Sequence, residues 1–247
     1  MSFWAVARGL GTEILVCPIE LIKLRQQCSN KSESSYKVAR QIFQNEGIRS
    51  FYDGLSPQLL KTCVKQAWCW PMIIELPKLF KCYGLNDREQ QIATGISIST
   101  VDSIGTIHLE KVRVVYATAK KTSLPLIDII KEGWKGFSTY WIKRSVNMVT
   151  FLTVQEYLRN KNREGDKELK AYEMLKVGVE VAFIVSFVGA PFDFANTLKQ
   201  AKNLNPLHHL NRKDIVKLYK GWPMNTLSLI IQNIASIFLF EKLRQNN

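Results

Sequence analysis

The polar positions of this chain fall into narrow stripes, each running through an otherwise apolar segment. Trp222 to Phe240 holds no charged residue, Gln90 to Leu109 holds only Asp102, and Val177 to Phe192 holds only Glu180. Within the segments the polar groups recur at intervals of three and four. One set is Asn225, Ser228, Gln232 and Ser236; a second is Ser99, Asp102, Thr106, Glu110 and Arg113; a third is Lys143, Asn147 and Thr150. Those intervals place each set on one face of an α-helix. A soluble bundle would turn such a stripe to bulk water, but soluble helices usually carry a wide charged face. A narrow, mostly uncharged stripe suits a membrane helix whose stripe lines a bundle interior or a water-filled cavity. A span needs about 20 mostly apolar residues, and several segments approach that length. The pattern predicts six long helices, over 1–28, 54–83, 89–119, 136–160, 170–201 and 221–245.

One short motif repeats along these helices. Pro-Ile-Glu-Leu-Ile-Lys at 18–23 is matched by His-Leu-Glu-Lys-Val-Arg at 108–113 and by Pro-Phe-Asp-Phe-Ala-Asn at 191–196. The copies start 90 and 83 residues apart (18 to 108, 108 to 191). Each has an acid two residues after the first position, and the first two have a base three residues beyond it. Proline inside a helix removes a hydrogen bond and bends the axis, while an acid and a base three apart share a face. A second signal follows each copy: EGIRSFYDGL (46–55), EGWKGF (132–137) and KLYKGW (217–222). A third closes each unit: ELPK (75–78), QEYLR (155–159) and FEKLR (240–244). Repetition at this period marks one architectural unit used three times. Each unit is a bent helix, a short helix and a second long helix, with Ser35 to Asn45 as the first short helix. The expected units are 1–84, 85–165 and 166–247.

Charge and cysteine content alter this picture little. The net charge of +13 over 247 residues is compatible with a basic membrane-surface or nucleic-acid-binding helical protein. The five cysteines, at 17, 28, 63, 69 and 82, form no CxxC pair and indicate neither a zinc ribbon nor a disulfide framework. His208 and His209 read as a loop pair and not as a metal site. No glycine-rich phosphate loop, dinucleotide fingerprint or Ser/His/Asp signature occurs, so no enzyme chemistry is indicated. The residues MSFWAVARGL lack the pattern of a removable signal peptide.

On the strength of PIELIKLRQQ and its two partners, the chain resembles the mitochondrial carrier family. That family repeats PxDxxKxRxQ three times, with Glu allowed for Asp and Arg for Lys, followed by an acid–Gly pair and an aromatic–basic–Gly triplet. The resemblance covers essentially the whole chain. It implies an all-α membrane protein, six transmembrane helices in a pseudo-threefold barrel with short matrix-side helices. It also implies transport by alternating access through one central site, without a cofactor or metal. A small anionic substrate and membrane lipid, cardiolipin in particular, would be the partners, with no nucleic acid and a monomeric state. The location implied is the mitochondrial inner membrane, multi-pass. Trimmed loops and eroded motifs also fit a copy carried by an intracellular parasite or virus and aimed at a host mitochondrion.

The resemblance assigns two gates. On the matrix side, Glu20 would meet Arg113 and Asp193 would meet Lys23, with Gln27 as the brace. Glu110 would need a base at 196, where this chain has Asn196, so one of three bridges is missing. On the cytoplasmic side the gate residues would be Glu75 and Lys78, Glu156 and Arg159, and Glu241 and Arg244. Other departures are His108 for the second proline and Asp53 for the basic residue of the first triplet.

Substrate contacts in the family lie seven or eight residues after the triplet glycine. Counting from Gly54, Gly136 and Gly221 gives Lys61, Lys143 with Arg144, and Ser228 with Leu229; Glu13 takes the corresponding place on the first helix. Lys65, Asn225 and Gln232 flank the set. Bases outnumber acids in this group, and a net positive cavity concentrates anions. Arginine and lysine grip phosphate or carboxylate. Trp68, Trp70, Tyr140 and Trp141 offer surfaces on which a nucleobase stacks. A nucleotide such as ATP or ADP is the expected substrate; keto acids, dicarboxylates and phosphate stay open, because Lys143–Arg144 is unlike the pattern of adenine nucleotide carriers.

Overall fold

The computed structural model describes residues 2–29, 33–118, 126–162, 171–202 and 215–245. All regular structure among them is helical. The long helices are α1 (Ser2–Cys28), α3 (Leu55–Cys82), α4 (Asp87–Thr118), α6 (Phe137–Asn162), α7 (Ala171–Lys202) and α9 (Trp222–Gln245). Short helices α2 (Ser35–Glu46), α5 (Leu126–Lys131) and α8 (Ile215–Leu218) lie between them, and 3-10 turns at Ile48–Tyr52 and Glu132–Gly136 lead into α3 and α6. The six long helices start and stop within two residues of the bounds expected from the polar stripes and motifs, which is the ordinary spread of helix ends. Pro18 and Pro191 lie inside α1 and α7, and His108 takes the matching place in α4.

Each long helix packs against its chain neighbours, α1 on α3, α3 on α4, α4 on α6, α6 on α7 and α7 on α9, and α9 returns to α1. The helices form a closed ring. Three glycines allow the connecting turns to press against it. Gly54 and Gly221 adopt φ of 83° and 82°, a left-handed conformation that favours a residue without Cβ. A Cβ on Gly54 would lie 3.0 Å from the Arg113 carbonyl oxygen of α4, and one on Gly221 would lie 2.9 Å from Lys23 Cγ of α1. Gly136 sits in the same way against Gln200 of α7. Each unit's turn therefore rests on the bent helix of the next unit.

The interior and exterior of the ring are reversed relative to a soluble bundle. Leu15, Ile104, Phe183 and Phe187 are exposed, whereas Thr94, Ser99, Asp102, Ser103, Thr106, Glu110, Asp193 and Asn196 are buried. Apolar packing lies between adjacent helices instead. Leu21 and Leu24 of α1 meet Val38 and Ile42 of α2 and Val114 and Ala117 of α4. Leu158 of α6 meets Val177, Val181 and Val185 of α7. Among the described residues, one helix, over Tyr172–Lys202, is apolar and long enough to cross a membrane by length and composition. The other long helices have 24 to 32 residues, about 36–48 Å at 1.5 Å per residue, and their polar stripes lower their mean hydropathy.

Candidate functional site

The buried polar stripes converge on a cavity of about 160 Å³ at the centre of the ring. Its lining draws on all six long helices: Glu13 and Glu20 from α1, Lys61 from α3, Glu110 and Arg113 from α4, Lys143 and Arg144 from α6, Asp193 from α7 and Ser228 from α9. The helical interval of three or four brings each of these side chains to the same inward face.

At one end of the cavity the acids of the three bent helices meet bases from other helices. Glu20 pairs with Arg113 and accepts a hydrogen bond from Ser228 Oγ at 3.3 Å. Lys23 Nζ lies 3.0 Å from Asp193 Oδ2 and donates to Asn225 Oδ1 at 2.9 Å. Gln27 Nε2 donates to the same Asp193 oxygen at 3.1 Å, and Thr197 donates to Gln27 Oε1 at 2.7 Å, which fixes the amide's orientation. Asn196 is fully buried, and neither its amide nitrogen nor its oxygen has a hydrogen-bond partner among the described residues.

Glu110 finds its bases elsewhere. Lys61 Nζ lies 2.8 Å from Glu110 Oε2, Lys143 Nζ lies 3.6 Å from Oε1, and Arg113 Nη1 lies 3.5 Å from Oε2. Lys143 also reaches Asp193 Oδ1 at 2.7 Å and so joins two of the three acids. Burying an unpaired carboxylate is very costly. The acid left without a base at 196 is therefore held by lysines expected to serve the substrate.

The remaining expected contacts are also engaged. Arg144 forms an ion pair with Asp102, which is buried on α4. Glu13 accepts hydrogen bonds from Gln58 Nε2 at 2.7 Å and Thr62 Oγ1 at 3.1 Å. Asp102, Gln58 and Thr62 join the site beyond the residues expected from sequence; a lone acid in an otherwise uncharged stretch is the signal for Asp102. The lining holds six bases (Lys23, Lys61, Lys65, Arg113, Lys143, Arg144) and five acids (Glu13, Glu20, Asp102, Glu110, Asp193), a net charge of +1. The excess of bases expected from sequence is thus small.

Of the aromatic residues proposed for stacking, Tyr140 lines the cavity and its hydroxyl is 2.9 Å from Thr106 Oγ1. Trp68 packs against Gly105 of α4, and Trp141 Nε1 donates to Thr100 Oγ1 at 3.0 Å; neither ring is part of the lining. The side chain of Trp70 is outside the described residues, as are His208 and His209.

The opposite end differs. Glu75 and Lys78 pair with each other at 3.1 Å along α3, with both side chains about two-thirds exposed. Glu156 is half-buried and Arg159 exposed, and neither joins an ion pair among the described residues. The side chains of Glu241 and Arg244 lie outside the described residues. Asp53, the acid in the first triplet, lies 3.7 Å from Arg25, which also holds Glu46 at 2.6 Å. Desolvation raises the Asp53 carboxyl above its ordinary pKa, and Arg25 partly offsets the rise. Among the described residues no group of His, Cys, Asp and Glu is arranged to hold a metal ion.

Residues 2–83, from α1 to the end of α3, match the model of the mitochondrial carrier protein family. The chain is 27% identical over 213 residues to the human mitochondrial 2-oxodicarboxylate carrier, covering 76% of this chain and 70% of that one. It is 22% identical over 261 aligned positions to mitochondrial thiamine pyrophosphate carrier 1 of Saccharomyces cerevisiae, covering 93% of this chain and 82% of that one. The corresponding carrier of Meyerozyma guilliermondii is 28% identical over 135 residues, half of this chain and 46% of its own length.

Proposed function

We propose that this chain is a member of the mitochondrial carrier family and carries a small 2-oxo dicarboxylate across the mitochondrial inner membrane. The observation that carries the reading is the arrangement around Glu110. Lys61 of α3 and Lys143 of α6 approach one carboxylate from two helices, an arrangement that suits a bound carboxylate anion. Charge-assisted bonds from two directions fix both the position and the sign of the bound group. Arg144, one residue on from Lys143, supplies a further cation once Asp102 yields.

The geometry favours the dicarboxylate alternative over a nucleotide. Trp68 and Trp141 pack between helices and leave Tyr140 as the cavity's aromatic surface among the described residues. A carrier named for 2-oxodicarboxylates is among the relatives, as are carriers named for thiamine pyrophosphate.

The six long helices cross the membrane as a pseudo-threefold barrel of three repeats, 1–84, 85–165 and 166–247. Exposed apolar residues meet lipid, cardiolipin included, and the polar stripes face the water-filled centre. Glu20, Lys23, Gln27, Glu110, Arg113, Asp193 and Asn196 make up the matrix-side gate. Glu75, Lys78, Glu156, Arg159, Glu241 and Arg244 make up the cytoplasmic one. Buried pairs at the first end and exposed groups at the second describe a carrier closed toward the matrix and open toward the cytoplasm. The protein works as a monomer, by exchange.

The test is uptake of labelled anions into loaded and empty proteoliposomes. Uptake of 2-oxoglutarate or 2-oxoadipate into loaded vesicles, with weak competition by ATP and thiamine pyrophosphate, is the expected result. Preferential ATP uptake restores the nucleotide reading, and uptake of none of these anions overturns the proposal.

A further inference from the structure

We propose that Glu110 is a resident stand-in for the substrate. Its carboxylate occupies the Lys61–Lys143 pair, and an incoming dianion binds by displacing it. This inference rests on the anion-transport reading above.

Three observations carry it. Glu110 is 2% exposed and contacts Lys61, Lys143 and Arg113, with Lys143 shared with Asp193 at 2.7 Å, whereas the matching acids Glu20 and Asp193 each have a base from another stripe, Arg113 and Lys23. The place where a base would serve Glu110 holds Asn196, a buried amide without a described partner. The lining has six bases and five acids, so a dianion added to the full set would leave the site at −1 (6 − 5 − 2). An uncompensated buried charge is disfavoured in such a setting. The dianion is accommodated when Glu110 leaves the two lysines and reaches water, which requires the closed end to open. Arg113, 3.5 Å away, remains beside Glu110 as it is released. Binding of the substrate and loosening of the closure are then one exchange of carboxylates at two ammonium groups. A monoanion added to the full set leaves it neutral (6 − 5 − 1) and so supplies no charge that drives Glu110 from the lysines.

The full chain is purified in detergent and titrated with 2-oxoglutarate and with pyruvate, and exchange is followed in proteoliposomes. The wild type should bind 2-oxoglutarate and discriminate against pyruvate. Glu110→Gln should bind 2-oxoglutarate about tenfold more tightly, since two charge-assisted contacts no longer compete, yet exchange it more slowly. Glu110→Asp, which retracts the charge by one methylene, should shift binding in the same direction by less. If Glu110→Gln does not fold, as its melting curve would reveal, Glu110→Asp decides the matter on the same titration. Wild-type binding with unchanged or weaker binding in the folded variants overturns the stand-in role and leaves the transport reading intact. Failure of the wild type to bind or carry any of the panel anions removes the transport reading and this inference with it.

Discussion

The two ends of the helix ring draw on the same ingredients, an acid followed three residues on by a base (Asn196 in the one exception), and arrive at different arrangements. At one end the acids of α4 and α7 are buried and that of α1 is half-buried, and every one meets a base from another helix. At the other, among the described residues, Glu75 and Lys78 meet only each other, on one helix and largely in solvent. Exposed pairs contribute about 0–1 kcal/mol, because water screens them and long side chains lose freedom. Removing one member of a buried pair costs about 3–5 kcal/mol, since the other is left charged and unsatisfied. The motif alone therefore does not decide what a gate does. Burial and the helix that supplies the partner decide it.

Breaking the buried end should have the largest effect. Arg113→Ala strands Glu20 and removes one neighbour of Glu110, and it should destabilise the protein by about 3–5 kcal/mol. Thermal unfolding in detergent measures it; a loss below about 1 kcal/mol would mean that this end is as weakly held as the exposed one. Lys143→Met comes next. It removes the cation shared by Glu110 and Asp193, and anion uptake should fall at least about tenfold, read as initial rate against substrate concentration. Asn196→Lys sharpens the comparison by giving the buried end its missing base. The closed state should gain a few-fold in population, on the order of 1 kcal/mol, measured as protease accessibility from each side of the vesicle. The smallest effect belongs to the exposed end: Lys78→Ala should change the melting free energy by no more than about 0.5 kcal/mol. A larger loss would show that the pair is held more tightly than its exposure implies.

How much of this was legible depended on whether the relevant distance ran along the chain or across it. Helix limits followed from local signals, such as the Gly54 and Gly221 turns and the polar intervals, and the observed bounds fall close to them. The inward face was legible for the same reason, since Glu110 and Arg113 share a stripe with Asp102. The partners of Glu110 were not. Asn196 announced a gap, but which base fills it depends on the approach of α3 and α6 to α4, and no local pattern encodes that approach. Trp68 and Trp141 were misplaced for a related reason: a tryptophan near a polar stripe turns into the cavity or between helices according to the space a neighbour leaves, here Gly105 for Trp68. The burial of the two ends was also beyond sequence, because the same acid–base spacing occurs at both.

The seating of Gly221 against Lys23 and Gln27 bears on how the protein is assembled. This seam joins residues about 200 positions apart, so it forms only after α9 has reached α1. Until then the inward faces of α1 and α7 lack the cover of α9. Loop closure over such a span is slow relative to local helix pairing. Folding therefore passes through an open arc of helices whose polar stripes lack the cover they have in the closed ring, and the last helix to arrive shuts that arc.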